Sequence, residues 1–98
     1  MYFYIVHIMN GNSKEVTVVN TLGIHARAAA KLSKLAQTAS AGVWVSRDGQ
    51  AVDATSILDI LTLACAQGTI ITLKIDDPAD RDVLDKLEHL VAAGFGED

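Results

Sequence analysis

Residues 15–36 read EVTVVNTLGIHARAAAKLSKLA, and this stretch decides the fold of the chain. Residues 15–19 are rich in β-branched side chains, which predicts a β-strand. The turn over residues 20–24 contains Gly23, which can adopt a positive φ at no steric cost. From residue 26 to about residue 38, small and apolar residues recur at helical spacing. The stretch therefore predicts a strand, a tight turn and a helix in succession.

His25 stands at the predicted start of this helix, where the first backbone N–H groups have no acceptor within the helix. The helix dipole is positive at that end, so an anion such as phosphate is stabilised there. The same field disfavours the imidazolium form, and we expect a neutral, nucleophilic ring. Arg27 can add a fork of donors to phosphate oxygens. The sequence thus predicts a phosphate-binding helix start formed by Ala26, Arg27 and Ala28 beside His25.

The remainder of the chain predicts three more strands and two more helices, in the overall order β-α-β-β-α-β-α. Asp48-Gly49 is a strong hairpin sequence between two short strands. Asp77-Pro78 is typical of a helix start, since aspartate caps a helix and proline fits its first position. Elements this short favour an antiparallel or mixed sheet with helices packed on one face. The predicted elements lie at residues 43–47, 50–52, 57–64 and 69–75, and from residue 78 to Gly94.

The composition fits one small domain in a reducing compartment. The chain has 98 residues, half of them hydrophobic, which supports a modest core. Twelve acidic and eight basic residues give a formal net charge of −4. Without a basic tract, nucleic acid is not an expected partner. The single cysteine, Cys65, lies in an apolar context that predicts a buried, inert thiol.

Residues 1–13 are predicted to be an N-terminal extension outside the core, and residues 14–98 to be the domain. The apolar run at residues 2–8 is too short to cross a bilayer and lacks the features of a signal peptide. Two interpretations of the extension stay open. It is either a translated upstream stretch, with the domain starting near Met9, or an extra edge strand or dimer contact.

Four aspartates, at residues 76, 77, 80 and 82, are close enough in the chain to suggest a metal site. Their spacing is not that of a calcium-binding loop. We therefore predict no metal site, and interpret these residues as helix caps and as part of a solvated face.

Two motifs, taken with the order of the elements, resemble the HPr family, the histidine-containing phosphocarriers of the bacterial phosphotransferase system. The sequence GIHARAA at residues 23–29 is similar to the family signature Gly-[Ile/Leu]-His-[Ala/Thr]-Arg-Pro-Ala, with Ala28 in the place of proline. ATS at residues 54–56 and QGT at residues 67–69 are similar to the start and end of the family's middle helix. The resemblance covers about residues 15–91. It implies an α+β open-faced sandwich, in which three helices cover one face of a four-stranded antiparallel sheet.

The resemblance also implies a function, that of a phosphoryl carrier and not of an enzyme in the turnover sense. His25 would accept the phosphoryl group of phosphoenzyme I, derived from phosphoenolpyruvate, and pass it to an EIIA-type protein. Arg27 would stabilise the phosphate, with no cofactor. We expect a cytoplasmic monomer that does not enter the membrane. The tail at residues 94–98 is more similar to the nitrogen-branch paralogue NPr, so the sugar and nitrogen branches both stay open.

Ser56 falls on the serine that an HPr kinase/phosphorylase modifies in some relatives. A serine at this place is equally a plain helix N-cap. The alternative function is therefore a regulatory interaction module, controlled by phosphorylation of Ser56, with little phosphotransfer. An HPr kinase/phosphorylase would be its partner.

The middle helix carries apolar residues around much of its girth. We predict that Ile24, Ile57, Leu58 and Leu61 form a docking surface for partners, since an exposed apolar patch suits transient binding. The resemblance supports this, because family members use this helix and the histidine-bearing end for their partners. The alternative is that the N-terminal extension or a loop covers part of the surface.

Overall fold

The computed structural model describes residues 11–97. They form four strands and three α-helices in the predicted order. Short 3-10 turns lie on either side of the last helix, at Pro78–Asp80 and Gly94–Gly96. The elements are β1 Ser13–Thr17, α1 Ala26–Ala36, β2 Val43–Arg47, β3 Gln50–Asp53, α2 Ile57–Thr62, β4 Ile70–Ile75 and α3 Arg81–Ala92.

The four strands make one antiparallel sheet in the order β1-β4-β2-β3. Of the two sheet types that the short elements favour, the antiparallel one is confirmed. Val16 of β1 lies opposite Ile71 of β4, and Val45 of β2 lies opposite Leu73. In β4, Ile71, Leu73 and Ile75 are all fully buried, because alternate residues of a strand face the same side. The α+β open-faced sandwich is confirmed.

The core lies between the sheet and the helices, and it fixes the orientation of α1. Ala28, Ala29 and Leu32 are completely buried on one face of that helix. A fully buried leucine contributes about 1.5–3 kcal/mol to folding, so rotation of α1 is strongly disfavoured. The small alanines let the first turn of α1 lie close to its neighbours. The core also contains Val43, Val45, Ile60, Ile71, Leu73, Ile75, Leu84, Leu87 and Val91.

The helix α2 is shorter than predicted. It ends at Thr62 instead of residue 64, and Ala64 has a positive φ of 51°. Nη1 of Arg47 donates to the carbonyl oxygens of Leu63 and Ala64 at 2.8 and 2.7 Å. These are carbonyls at a helix end, which need partners from outside the helix. The Arg47 side chain, from the neighbouring hairpin, thus caps the end of α2. The spacing of apolar residues within the helix does not reveal where this contact falls.

Two titratable side chains are buried, and the sequence predicts burial for only one of them. Cys65 is buried, as predicted, and burial raises the pKa of its thiol. Asp80 was assigned to a solvated face, and that assignment is wrong, since it is only 6% exposed. Its carboxylate accepts hydrogen bonds from the backbone N–H and hydroxyl of Ser40 and from the N–H of Ala41. These bonds, led by the Ser40 N–H, lower the pKa of Asp80 and tie the loop after α1 to the start of α3.

Residues 1–10 of the predicted extension lie outside the described residues. The strand β1 begins at Ser13, and the carbonyl of Asn12 accepts a hydrogen bond from Ile75 at 2.9 Å. The assignment of residues 1–13 to an extension stays a prediction. Within residues 11–97, no helix has the length and apolarity needed to span a membrane. In the same range, no group of three or more His, Cys, Asp and Glu side chains is arranged to hold a metal ion.

Candidate functional site

His25 is the N-cap of α1, at the position predicted for it. Its backbone is extended, with φ −81° and ψ −179°, and its carbonyl accepts the N–H of Ala29 at 2.8 Å. The ring atom Nδ1 accepts the backbone N–H of Arg27 at 3.2 Å. An imidazole therefore performs the capping that serine or aspartate performs in most helices. The lone pair of Nδ1 therefore points at the backbone N–H groups of the helix start.

The turn before His25 is held against the loop that follows α2. Gly23 has φ 66°, and the N–H of Ile24 donates to the carbonyl of Cys65 at 2.9 Å. A Cβ on Gly23 would collide with that carbonyl oxygen and with the backbone of Ala66. Only glycine meets both demands, a positive φ and no side chain. The position of His25 relative to the end of α2 is fixed by this contact.

The other ring nitrogen of His25 is occupied by Glu97. Nε2 lies 2.8 Å from Oε1 and 2.9 Å from Oε2 of that carboxylate. Nη2 of Arg27 lies 3.4 Å from Oε2, and Nδ2 of Asn20 donates to Oε1 at 2.9 Å. The two predicted site residues, His25 and Arg27, are thus brought together by a carboxylate from the far end of the chain.

The environment of Glu97 keeps it ionised. The hydrogen bond to His25 is the largest cause that lowers its pKa, to about 2, with further contributions from Asn20 and Arg27. Partial burial acts in the opposite direction, since the side chain is only 16% exposed. At neutral pH the site therefore contains a fixed negative charge on the Nε2 side of the ring. This charge favours the tautomer that has its proton on Nε2.

The tail reaches the site through a left-handed turn. Gly94, Phe95 and Gly96 have φ values of 64°, 59° and 77°. The left-handed conformation costs a non-glycine residue about 1–2 kcal/mol, which burial of the Phe95 ring offsets. That ring is 1% exposed, and Nζ of Lys31 donates to the Phe95 carbonyl at 2.8 Å. Glu97 follows directly and is positioned by this turn.

The sequence did contain a signal for the tail, although not for its target. Two glycines around one large aromatic residue after a helix are typical of a tight turn with a buried side chain. The pattern could have marked Phe95 as a core residue. Nothing in it indicates that the next residue faces His25.

The predicted helix start is present, and its three residues differ in exposure. The side chain of Arg27 is 68% exposed, whereas Ala28 is completely buried. Ala26 and Arg27 are the first two residues of α1. The backbone N–H of Arg27 therefore lies on the side of Nδ1, and the guanidinium of the same residue is largely exposed.

The predicted docking residues are only partly brought to one surface. Leu58 is 75% exposed and Ile57 is 39% exposed, while Leu61 is half-buried against the core. Ile24 is 6% exposed, because its side chain packs into the core, and it does not join that surface. Leu22, in the turn before His25, is 67% exposed and was not predicted.

Ser56 is the N-cap of α2, and its hydroxyl oxygen accepts the N–H of Asp59 at 3.2 Å. The plain capping role is therefore present. Asp59 itself lies in the first turn of α2. A phosphate on Ser56 would add negative charge next to that carboxylate, which reduces its electrostatic benefit at the helix start.

Comparison with known proteins identifies the family. The family model for the PTS HPr component phosphorylation site matches residues 12–93. The chain belongs to the HPr family. HPr proteins are phosphocarriers of the phosphotransferase system, and they act as carriers and not as catalysts. The predicted resemblance is confirmed.

Named relatives cover nearly the same range. The phosphocarrier protein HPr of Cupriavidus necator is 43% identical over 84 residues, which are 86% of this chain and 94% of that protein. HPr of Xylella fastidiosa, strain Temecula1, is 38% identical over 84 residues, with the same shares of the two chains. The crystal structure of HPr-C-His from Thermoanaerobacter tengcongensis superposes with a TM-score of 0.82 at 30% identity, covering 88% of this chain and 97% of that one.

Two positions are compared with the family signature. Ala28 stands where the family signature has proline, and α1 nevertheless begins at Ala26, as expected. The helix is retained because alanine favours it and because Ala28 is packed in the core. The second position is Glu97, which lies beyond residue 93, where the family match ends. The carboxylate that contacts His25 therefore lies outside the range that the family model matches.

Proposed function

We propose that this HPr-family protein carries a phosphoryl group on Nδ1 of His25. It accepts the group from phosphoenzyme I and passes it to an EIIA-type protein, in sugar transport or in its nitrogen-branch counterpart. The observation that carries the proposal is the different use of the two ring nitrogens. Nδ1 faces the amides of the helix start, whereas Nε2 is occupied by Glu97.

The acceptance step uses groups that are already in place. The Nδ1 lone pair attacks phosphorus, an N–P bond forms, and the bond from phosphorus to enzyme I breaks, with its electron pair leaving on enzyme I. The Arg27 N–H, which now donates to Nδ1, is placed to donate to a phosphoryl oxygen instead. The exposed Arg27 guanidinium adds charge-assisted hydrogen bonds to the other oxygens. Catalysis of this kind depends on positioning and charge stabilisation.

The release step is the reverse of acceptance. The EIIA-type acceptor supplies the nucleophile, and the N–P bond electrons return to Nδ1. The histidine is the acceptor in one transfer and the donor in the next, which is why the protein acts as a carrier and not as an enzyme. We place this cycle in the cytoplasm, with the protein as a monomer and without a cofactor.

We assign partner docking to the exposed apolar side chains of α2 and of the turn before His25. Leu58 and Ile57 on α2 and Leu22 in the turn before His25 are exposed, and their segments are joined by the hydrogen bond from Ile24 to Cys65. An apolar patch surrounded by polar residues suits brief, repeated encounters with two different partners.

The test is phosphorylation by enzyme I and phosphoenolpyruvate, measured as acid-labile phosphate per chain. We expect one phosphate on the wild-type protein and none on His25→Ala. His89→Ala is the matched control, because His89 is an exposed histidine on α3, and it should be labelled like the wild type. Undiminished labelling of His25→Ala would falsify the proposal.

A further inference from the structure

We propose that Glu97 is a positioning residue for phosphoryl transfer, which holds the ring proton of His25 on Nε2 and stabilises the positive charge that the ring gains when Nδ1 attacks phosphorus. This inference rests on the proposed function. It concerns a residue outside the family signature, since the family match ends at residue 93.

The two contacts of the ring specify the same tautomer. A carboxylate can only accept hydrogen bonds, so Nε2, at 2.8 Å from Oε1 of Glu97, must be the donor. A backbone N–H can only donate, so Nδ1, at 3.2 Å from the Arg27 nitrogen, must be the acceptor. Both contacts therefore leave the free lone pair on Nδ1, which faces the start of α1.

Glu97 is itself held by hydrogen bonds from Asn20 and Arg27. Asn20 is 1% exposed, and its Nδ2 donates both to Glu97 Oε1 at 2.9 Å and to the carbonyl of Gly23 at 2.8 Å. The Oδ1 atom of Asn20 is buried and has no hydrogen-bond partner among residues 11–97. A buried acceptor without a partner is costly, and the two hydrogen bonds of the NH2 group offset that cost. That group links the turn before His25 to the tail.

The buried Phe95 ring gives the tail a second attachment. Since Phe95 is 1% exposed and its carbonyl accepts from Lys31, Glu97 is attached to the domain two residues before its own contact. The carboxylate therefore meets His25 as a fixed group, and little conformational entropy is lost when it does so.

The charge of Glu97 acts on two groups: it repels the phosphoryl group and attracts the ring of His25. The ring is the closer of the two. The carboxylate repels the phosphoryl group, yet that group binds on the Nδ1 side, where the helix amides and Arg27 stabilise it. The carboxylate attracts the ring, which becomes positive as the N–P bond forms, over only 2.8 Å. Because Coulomb energy falls with distance, the attraction is the larger effect. A carboxylate on the far nitrogen of a histidine stabilises imidazolium in the same way in hydrolytic triads.

The experiment compares two substitutions of Glu97 with a matched control. Glu97→Gln keeps an acceptor for Nε2–H and removes the charge, and Glu97→Ala removes both. Glu15→Gln makes the same chemical change on the exposed part of β1. The first readout is ¹⁵N and ¹H NMR of the His25 ring in the unphosphorylated protein. The second is the rate of phosphoryl transfer from phosphoenzyme I, with circular dichroism as the folding control.

In the wild type and in Glu15→Gln, we expect an Nε2–H proton that exchanges slowly with water. The proton should remain protected in Glu97→Gln and exchange rapidly in Glu97→Ala. The transfer rate should fall about fivefold in Glu97→Gln, because a charge-assisted hydrogen bond becomes a neutral one, and further in Glu97→Ala. An Nε2–H that is equally protected in Glu97→Ala overturns the inference. So does a transfer rate that is unchanged or higher in either variant, since the carboxylate would then be a bystander or an obstruction.

The two readouts separate this inference from the proposed function. The NMR signature requires no phosphorylation, so it reports on the contact between Glu97 and His25 even if enzyme I does not label the protein. Absence of labelling in the wild type counts against the carrier function and leaves the positioning of the ring to be judged by NMR. Normal labelling with an unprotected Nε2–H in the wild type rejects the role of Glu97 alone.

Discussion

The starts of α1 and α2 use the same local device with different results. Each helix has a side-chain N-cap that accepts a backbone N–H at 3.2 Å, His25 in one case and Ser56 in the other. At α1, the Glu97 carboxylate from the tail contacts the capping side chain, and the Arg27 guanidinium contacts that carboxylate. At α2, the Ser56 hydroxyl accepts a hydrogen bond from its own helix, and exposed apolar residues follow it. The two caps thus differ in whether a distant part of the chain contacts the capping side chain, and on this difference we base the proposal that His25 is the reactive group.

The two helices also differ in length and in burial. The helix α1 has 11 residues and a fully buried face, whereas α2 has 6 residues, of which Ile60 alone is buried. Since nearly all of α2 is exposed or half-buried, its side chains are available for contact with other proteins. We therefore propose a chemical end at α1 and a recognition face at α2.

The largest effect that can break this division is expected from Arg27→Ala. Loss of charge-assisted contacts to the phosphoryl group should cost about 1–3 kcal/mol of transition-state stabilisation, or about 5- to 150-fold in rate. The midpoint of chemical denaturation should stay unchanged, because the side chain is 68% exposed. Transfer rates equal to those of the wild type in both directions would show that Arg27 takes no part in the chemistry.

Arg47→Ala should have the opposite profile and a smaller effect. It removes two hydrogen bonds from a cation to the carbonyls that end α2, and we expect the free energy of unfolding to fall by about 1–2 kcal/mol. The measurement is urea denaturation, with Arg27→Ala as the comparison. If Arg47→Ala slows transfer from a protein that is still folded more than Arg27→Ala does, the division between the two helices is wrong.

The smallest effects are expected on the recognition face. Leu58→Glu should weaken the affinity for enzyme I by about 1 kcal/mol, because a charge replaces a side chain that is 75% exposed and apolar. Ser56→Asp should weaken it less, since Asp59 already makes this turn negative. Calorimetric titration measures both affinities, and circular dichroism checks folding. Wild-type affinity in both variants would place the docking surface elsewhere and leave Leu58 to be explained by cover from the N-terminal extension.

Local patterns in the sequence were sufficient for the elements that carry the core. The alternation of Ile71, Leu73 and Ile75 and the helical spacing of residues 26–38 predict β4 and α1, because the same residues define both the period and the buried face. His25 was placed at a helix start for the same reason. Arg27 could be predicted as its neighbour because the two are adjacent in the chain.

Contacts between distant segments were beyond such patterns. Glu97 lies 72 residues after His25, and no period connects the two. The end of α2 depends on Arg47, which lies 16 residues before Leu63, and the burial of Asp80 depends on the loop at Ser40. In each case a polar side chain satisfies backbone or ring atoms of another segment, and the geometry of the whole fold decides which segment that is.

The contact between the turn at Gly23 and the loop after α2 affects the distance at which a bound partner would lie from His25. The hydrogen bond from Ile24 to Cys65, with no room for a side chain on Gly23, removes the internal degrees of freedom between the histidine turn and the end of α2. The two segments therefore behave as one rigid body. A protein that binds the exposed face of α2 fixes its own orientation and also its separation from the His25 ring. Substitution of Gly23 would uncouple these two quantities, so that a partner could bind normally and still approach the ring at the wrong distance.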